Sequence, residues 1–168
     1  MKKMQALLGF YCAIFYFAWK LGLFYTDNQY TILAKFPIAP LLAVLGAAII
    51  YSVTRLSEKP FSVIEGFKAG TRTALVAAVL TMLFVFIYYK VVDPAFFSVQ
   101  HAEVRAAIEA FPDETQRAEA LKNFENNKKF FEPFNYSALT LSGVSAFGMA
   151  FSLISSALYE MFRKFGSL

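Results

Sequence analysis

Residues 136–159, YSALTLSGVSAFGMAFSLISSALY, run for 24 positions without a charge. At 1.5 Å of rise per residue a helix of this length covers more than the roughly 30 Å of a bilayer's hydrocarbon core, and tilt absorbs the excess. Three further apolar blocks precede it. Residues 5–24 carry one charge, Lys20; residues 36–53 carry none; and residues 73–89 are uncharged, with Gly70 and Thr71 just ahead of them. Apolar residues make up 58% of the chain, against roughly 45–50% in an ordinary soluble domain. They also fall in blocks rather than at the spacing of a soluble core. The expected fold class is therefore all-α: a single integral membrane domain over 1–168, with four transmembrane helices at about 5–24, 36–53, 70–92 and 136–160.

The first block follows Lys2 and Lys3, as a signal peptide's apolar region would. It is longer than the usual 7 to 15 residues of such a region, and no small-residue cleavage site follows, so it reads as a retained anchor. With one cysteine, Cys12, no disulfide can close within one chain. Among Tyr11, Ala13 and Ile14 that thiol reads as an inert small hydrophobe.

Lysine and arginine placement sets the expected orientation. Lys2, Lys3, Arg55, Lys59, Lys68, Arg72, Arg163 and Lys164 lie on one side. The other side holds Lys20, Lys35 and six more, diluted along a connection that also carries eight acids. The short-loop cluster favours N- and C-termini in the cytoplasm, in the cytoplasmic (inner) membrane. The same distribution explains the net charge of +4 without nucleic acid, for which no basic stripe or binding module is present.

The connection at about 93–134 reads as two short amphipathic helices. In the first, Phe97, His101, Val104, Ile108 and Phe111 recur at helical spacing. Phe111-Pro112-Asp113 breaks it, and Asp113 with Gln116 forms a capping-box pattern opening a second helix, on which Ala118, Leu121 and Phe124 share a face. These apolar faces rest on the bilayer, on the spans or on a partner. Phe97, His101, Val104, Ile108, Leu121 and Phe124 are the partner-facing candidates.

The order of features resembles the uncharacterised bacterial membrane family catalogued as domain of unknown function four-one-nine-nine. The likeness rests on three stretches: residues 61–70, FSVIEGFKAG, entering the third span; Asp93-Pro94-Ala95-Phe96-Phe97 after it; and residues 152–157, SLISSA, in a small-residue-rich final span. It covers most of residues 1–164. The resemblance implies the architecture and carries no activity, cofactor or site residue with it.

No catalytic, cofactor or metal site is expected from the residues themselves. His101 is the sole histidine, which excludes a multi-histidine metal site or a His dyad within one chain. Zincin, Walker A, dinucleotide and nucleophile-elbow patterns are absent. Gly66-Phe-Lys-Ala-Gly70 lacks the spacing and the following Lys-Ser/Thr of a phosphate loop, so both glycines read as helix-packing positions.

Small residues extend that theme. Ala39, Ala43 and Ala47 repeat every four positions in the second span, and Ser145, Gly148, Ser152 and Ser155 form a stripe in the fourth. Such positions let helices approach closely where lipid gives no hydrophobic drive for association. Lys20, Arg72 and Lys90 lie near span ends, from which long stems snorkel to the headgroups. Lys20 shares a face with Gly9, Ala13 and Tyr16, which makes pairing with Asp27 or Asp93 the natural expectation. Tyr88, Tyr89, Tyr136 and Tyr159 are expected in the interfacial belt. The partners implied are the lipid bilayer and either a second copy or another membrane protein. The functional reading is an accessory, scaffold or assembly component, not an enzyme, with a small channel or transporter for a neutral solute as the alternative.

Overall fold

The structure, a computed structural model, describes residues 1–28, 38–57 and 61–166. Those residues are all-helical. Six α-helices run in the order α1 Lys2–Tyr25, α2 Ala39–Arg55, α3 Val63–Ile87, α4 Phe96–Glu109, α5 Glu114–Asn127 and α6 Pro133–Phe165, and a π-helical turn, Tyr88–Val92, prolongs α3.

Local chemistry sets the ends. Asp27 has φ +56°, and the Asn28 and Asp27 amides donate back to the Leu23 and Phe24 carbonyls, a Schellman-type stop for α1 with aspartate in glycine's usual place. Ser62 caps α3 by accepting from the Glu65 amide at 3.2 Å. Asp113 caps α5 by accepting from the Gln116 amide at 3.0 Å. Pro133 opens α6, where a missing N–H costs nothing.

Three helices are long and apolar enough to cross a membrane: Lys2–Tyr25, Val63–Val92 and Pro133–Phe165. The second expected span differs. Its helix is the 17 residues of α2, about 25 Å at the helical rise and so shorter than the hydrocarbon core. Pro40, in the first turn, sets its start; residues 36 and 37 of the expected span lie outside the described residues.

α3 is the hub and contacts α1, α2 and α6. Its register with antiparallel α6 can be read from its glycines. A Cβ added at Gly66 would lie 2.6 Å from Ser156 Oγ, one at Gly70 would lie 2.5 Å from Ser152 Oγ, and one at Gly148 would fall on the Ala74 methyl. These three pairs step by four residues along both helices. α1 runs parallel to α3: a Cβ at Gly9 would strike the Thr73 carbonyl, and Phe17 stacks on Phe84 at 4.9 Å.

The outer surface of the long helices is largely apolar. Only about a third of each long helix's apolar stretch is buried, and Leu7, Ile14, Leu75, Leu83, Leu153 and Leu158 are among the large side chains left exposed. That surface suits a hydrocarbon solvent, since a soluble monomer seldom exposes contiguous patches beyond a few hundred Å².

α4 and α5 form a hairpin outside the long helices. Its packing face is narrower than the periodicity suggests: Phe97 and Ile108 are buried, whereas Val104 and Phe111 are exposed and α5 buries no residue. His101 meets Phe124 edge-on at 5.6 Å, with Leu121 half-buried nearby and Ala118 exposed.

Candidate functional site

Lys20 is 4% exposed. It lies on the inward face of α1 with Gly9, Ala13 and Tyr16, so its stem turns into the bundle rather than outward as snorkelling requires. Its ammonium is received by aromatic rings instead. Lys20 Nζ lies 4.6 Å from the Tyr88 ring centroid, 5.0 Å from that of Tyr89 and 5.5 Å from that of Phe96, and it donates to Tyr89 Oη at 3.1 Å. A desolvated cation over an aromatic face gains about 2 kcal/mol, which partly replaces lost hydration.

The π-helical turn builds this box. The Asp93 amide donates to the Tyr88 carbonyl five residues back, at 2.9 Å, and the wider turn lets two adjacent side chains, Tyr88 and Tyr89, both face inward. Both are buried inside the bundle, so their rings face neighbouring helices. Tyr136 of α6 closes the box edge-on to Tyr89 at 5.5 Å, and Phe97 of α4 packs on Tyr89 at 4.7 Å.

Asp93 faces the same box and is 5% exposed. Of the two acids considered for Lys20, Asp93 is the one in its field, though among the described residues no direct ion pair joins them. Burial pushes the Asp93 carboxyl above its usual range; the Lys20 charge and the Phe96 amide pull it back only in part. Its Oδ2 has no hydrogen-bond partner. Pro94 sits in the turn before α4.

A second polar cluster ties the opposite end. Gln5 Nε2 donates to the Leu56 carbonyl at 2.7 Å, and Arg72 Nη1 donates to Gln5 Oε1 at 3.3 Å. One buried glutamine thus joins α1, α3 and the residue that ends α2. Next to it, the Ser52 and Thr73 hydroxyls are 2.7 Å apart. Between the two ends the interior is closed: Ala74, Ala77 and Ala78 are fully buried, and Gly148 leaves no room for a methyl against Ala74.

The other candidate residues are placed as follows. Gly66, Gly70, Gly148 and Ser152 lie in the α3–α6 contact, where Ser156 takes the role expected of Ser155; Ser145 and Ser155 are half-buried at its edge. Ala39, Ala43 and Ala47 are exposed on the outer face of α2. Leu41, Leu45, Ile49 and Val53 take the inward face. The Ala43–Ala47 face, with Gly46, Phe147 and Phe151, borders a shallow apolar groove. Of the partner-facing set, Phe97 and Ile108 are buried, His101, Leu121 and Phe124 are half-buried in the hairpin, and Val104 alone is fully on the outside. Cys12 is buried in the bundle. Among the described residues no cluster of His, Cys, Asp or Glu could hold a metal.

Sequence reasoning reached Lys20 and Asp93 but missed the box. The available signal was the Tyr88-Tyr89 pair one turn before Asp93-Pro94. A regular helix would turn one of those rings away from the core.

The chain belongs to the family described as Protein of unknown function (DUF4199), whose model matches residues 7–160. No curated protein and no solved structure matches it.

Proposed function

We propose that this member of the family is a four-span protein of the cytoplasmic membrane, with both termini in the cytoplasm, that serves as an accessory, scaffold or assembly component of a membrane complex. The observation that carries the reading is the sealed centre of the bundle. Ala74 and Gly148 meet at mid-helix with no space for a methyl, so the helices are built to hold one another rather than to line a solute route. Short α2 spans by drawing the bilayer thin around it. The chain carries no catalytic chemistry in this reading, which rests on its single histidine and the absence of nucleophile and phosphate-loop patterns.

Purification in mild detergent is expected to retain a stoichiometric membrane-protein partner, and pure protein in liposomes is expected to pass no neutral solute. Solute flux from the pure protein would overturn the accessory reading in favour of a transporter.

Orientation has its own test. Ser57 is buried, so a cysteine there would report packing rather than sidedness. Phe165 and Thr115 are exposed at the C-terminal end and on the hairpin. In a Cys12→Ala background, Thr115→Cys is expected to react with an impermeant maleimide in intact spheroplasts, and Phe165→Cys only after lysis. Labelling of Phe165→Cys alone in intact spheroplasts would reverse the assignment.

A further inference from the structure

We propose that Asp93, with Lys20 and Tyr89, is a proton-binding site at the joint between α3 and the helical hairpin, and that its occupancy governs how firmly the first turn of α4 is held. The inference is independent of the accessory role. Three observations carry it. Two ionisable side chains, Lys20 and Asp93, are each about nineteen-twentieths buried at the end of a membrane-spanning bundle, where such groups are functional candidates by default. Asp93 Oδ2 has no hydrogen-bond partner, so one carboxylate oxygen is open to a proton. The carboxyl is tied to the joint itself, because the Phe96 amide at the start of α4 acts on it as well as donating to the Asp93 main-chain carbonyl at 3.3 Å, and Phe96 and Phe97 pack on Tyr89 at 4.8 and 4.7 Å.

The groups that face Asp93 are few. Lys20 of α1 and Tyr89 of the π turn lie in its field and the Phe96 amide of α4 bonds to it, while Tyr16 of α1, Tyr88 and Tyr136 of α6 stand around Tyr89. Among the described residues Lys20 is the one cation in the box. It donates to Tyr89 Oη and lies against aromatic faces, so it keeps partners when Asp93 takes a proton from solvent on Oδ2. Protonation converts a buried carboxylate with an unpartnered oxygen into a neutral acid, removing the charge that burial penalises.

The sign follows from linkage. With the joint closed, burial holds the Asp93 carboxyl above its usual range; opening the first turn of α4 admits water and returns it to about 3.9. The closed joint therefore binds the proton more tightly. The hold is complete below about pH 4 and is lost as pH rises through the raised value. Each unit of upward shift corresponds to about a tenfold change in the opening equilibrium.

The test uses the full chain in lipid nanodiscs with ¹³C-labelled aspartate. Infrared difference spectra between mildly acidic and neutral pH are expected to show a protonated-acid carbonyl band that titrates above the ordinary carboxyl range, is lost in Asp93→Asn, persists in Asp27→Asn and shifts in Lys20→Met. Amide exchange at residues 97–101, corrected for the intrinsic pH dependence, is expected to quicken about tenfold or more between pH 4 and neutrality. A wild-type spectrum without such a band overturns the site, and this measurement does not depend on any variant folding. A band with no change in exchange at 97–101 overturns the coupling to α4.

Discussion

Gly148→Leu is expected to destabilise the protein in detergent or lipid by about 3 kcal/mol, the upper part of the roughly 1–3 kcal/mol range for overpacking a tight contact. The reason is geometric. A Cβ on Gly148 would lie only 2.2 Å from the Ala74 methyl, and Ala74 stands on the backbone of the central helix, which has α1 behind it. Relief requires α6 to move away from α3, which would also part Gly70 from Ser152 and Gly66 from Ser156. Ser152→Ala is the matched control. Its hydroxyl donates to the Gly148 carbonyl of its own helix at 2.6 Å, so the change removes no bond between helices and is expected to cost no more than about 0.6 kcal/mol, the average for interhelical hydrogen bonds in a membrane protein. Thermal denaturation of both variants checks the pair. Equal midpoints for Gly148→Leu and wild type would mean that α3 and α6 do not meet in this register.

The second large effect concerns the caged lysine. Lys20→Met removes the cation from the field of Asp93 and leaves a buried acid facing apolar rings, for which an expected loss of about 3 kcal/mol lies at the low end of the range for breaking a buried pair. The low end is appropriate because Asp93 can escape the penalty by taking a proton. Replacing both members by near-isosteres, Lys20→Met with Asp93→Asn, is expected to recover stability to within about 1 kcal/mol of wild type, since buried pairs and well-packed neutral groups are often equivalent. A double-mutant cycle on denaturation midpoints reads the coupling directly. Strict additivity of the two substitutions would show that Lys20 and Asp93 are buried independently.

Several parts of this arrangement were legible in the residues. The long charge-free blocks marked α1, α3 and α6 as helices able to cross a membrane, because length and apolarity suffice for that inference. The Asp113 cap and the break at Phe111-Pro112 located the hairpin, since capping is local chemistry. Gly66, Gly70 and Gly148 read as helix-packing positions, and all three lie in the α3–α6 contact. The Ala39-Ala43-Ala47 repeat has the same spacing, yet it faces outward. Spacing states only that residues share a side of a helix.

Which side meets a neighbour was decided by the tertiary structure. In a soluble protein the polar face points to water and the choice is written in the sequence. In a bilayer the outer face is as apolar as the core, so nothing in the composition of α2 separates Leu41 and Leu45 from Ala43 and Ala47. The sequence by itself determined the all-helical class, the long apolar helices, the hairpin and the residues shared by each helical face. Only the tertiary structure decided that Lys20 turns inward rather than snorkels, that Asp93 rather than Asp27 faces it, and that Tyr88 and Tyr89 both point at it. That last choice depends on one five-residue turn, whose extra residue is held by packing against α1, α4 and α6 rather than by any local preference of Tyr-Tyr-Lys-Val-Val.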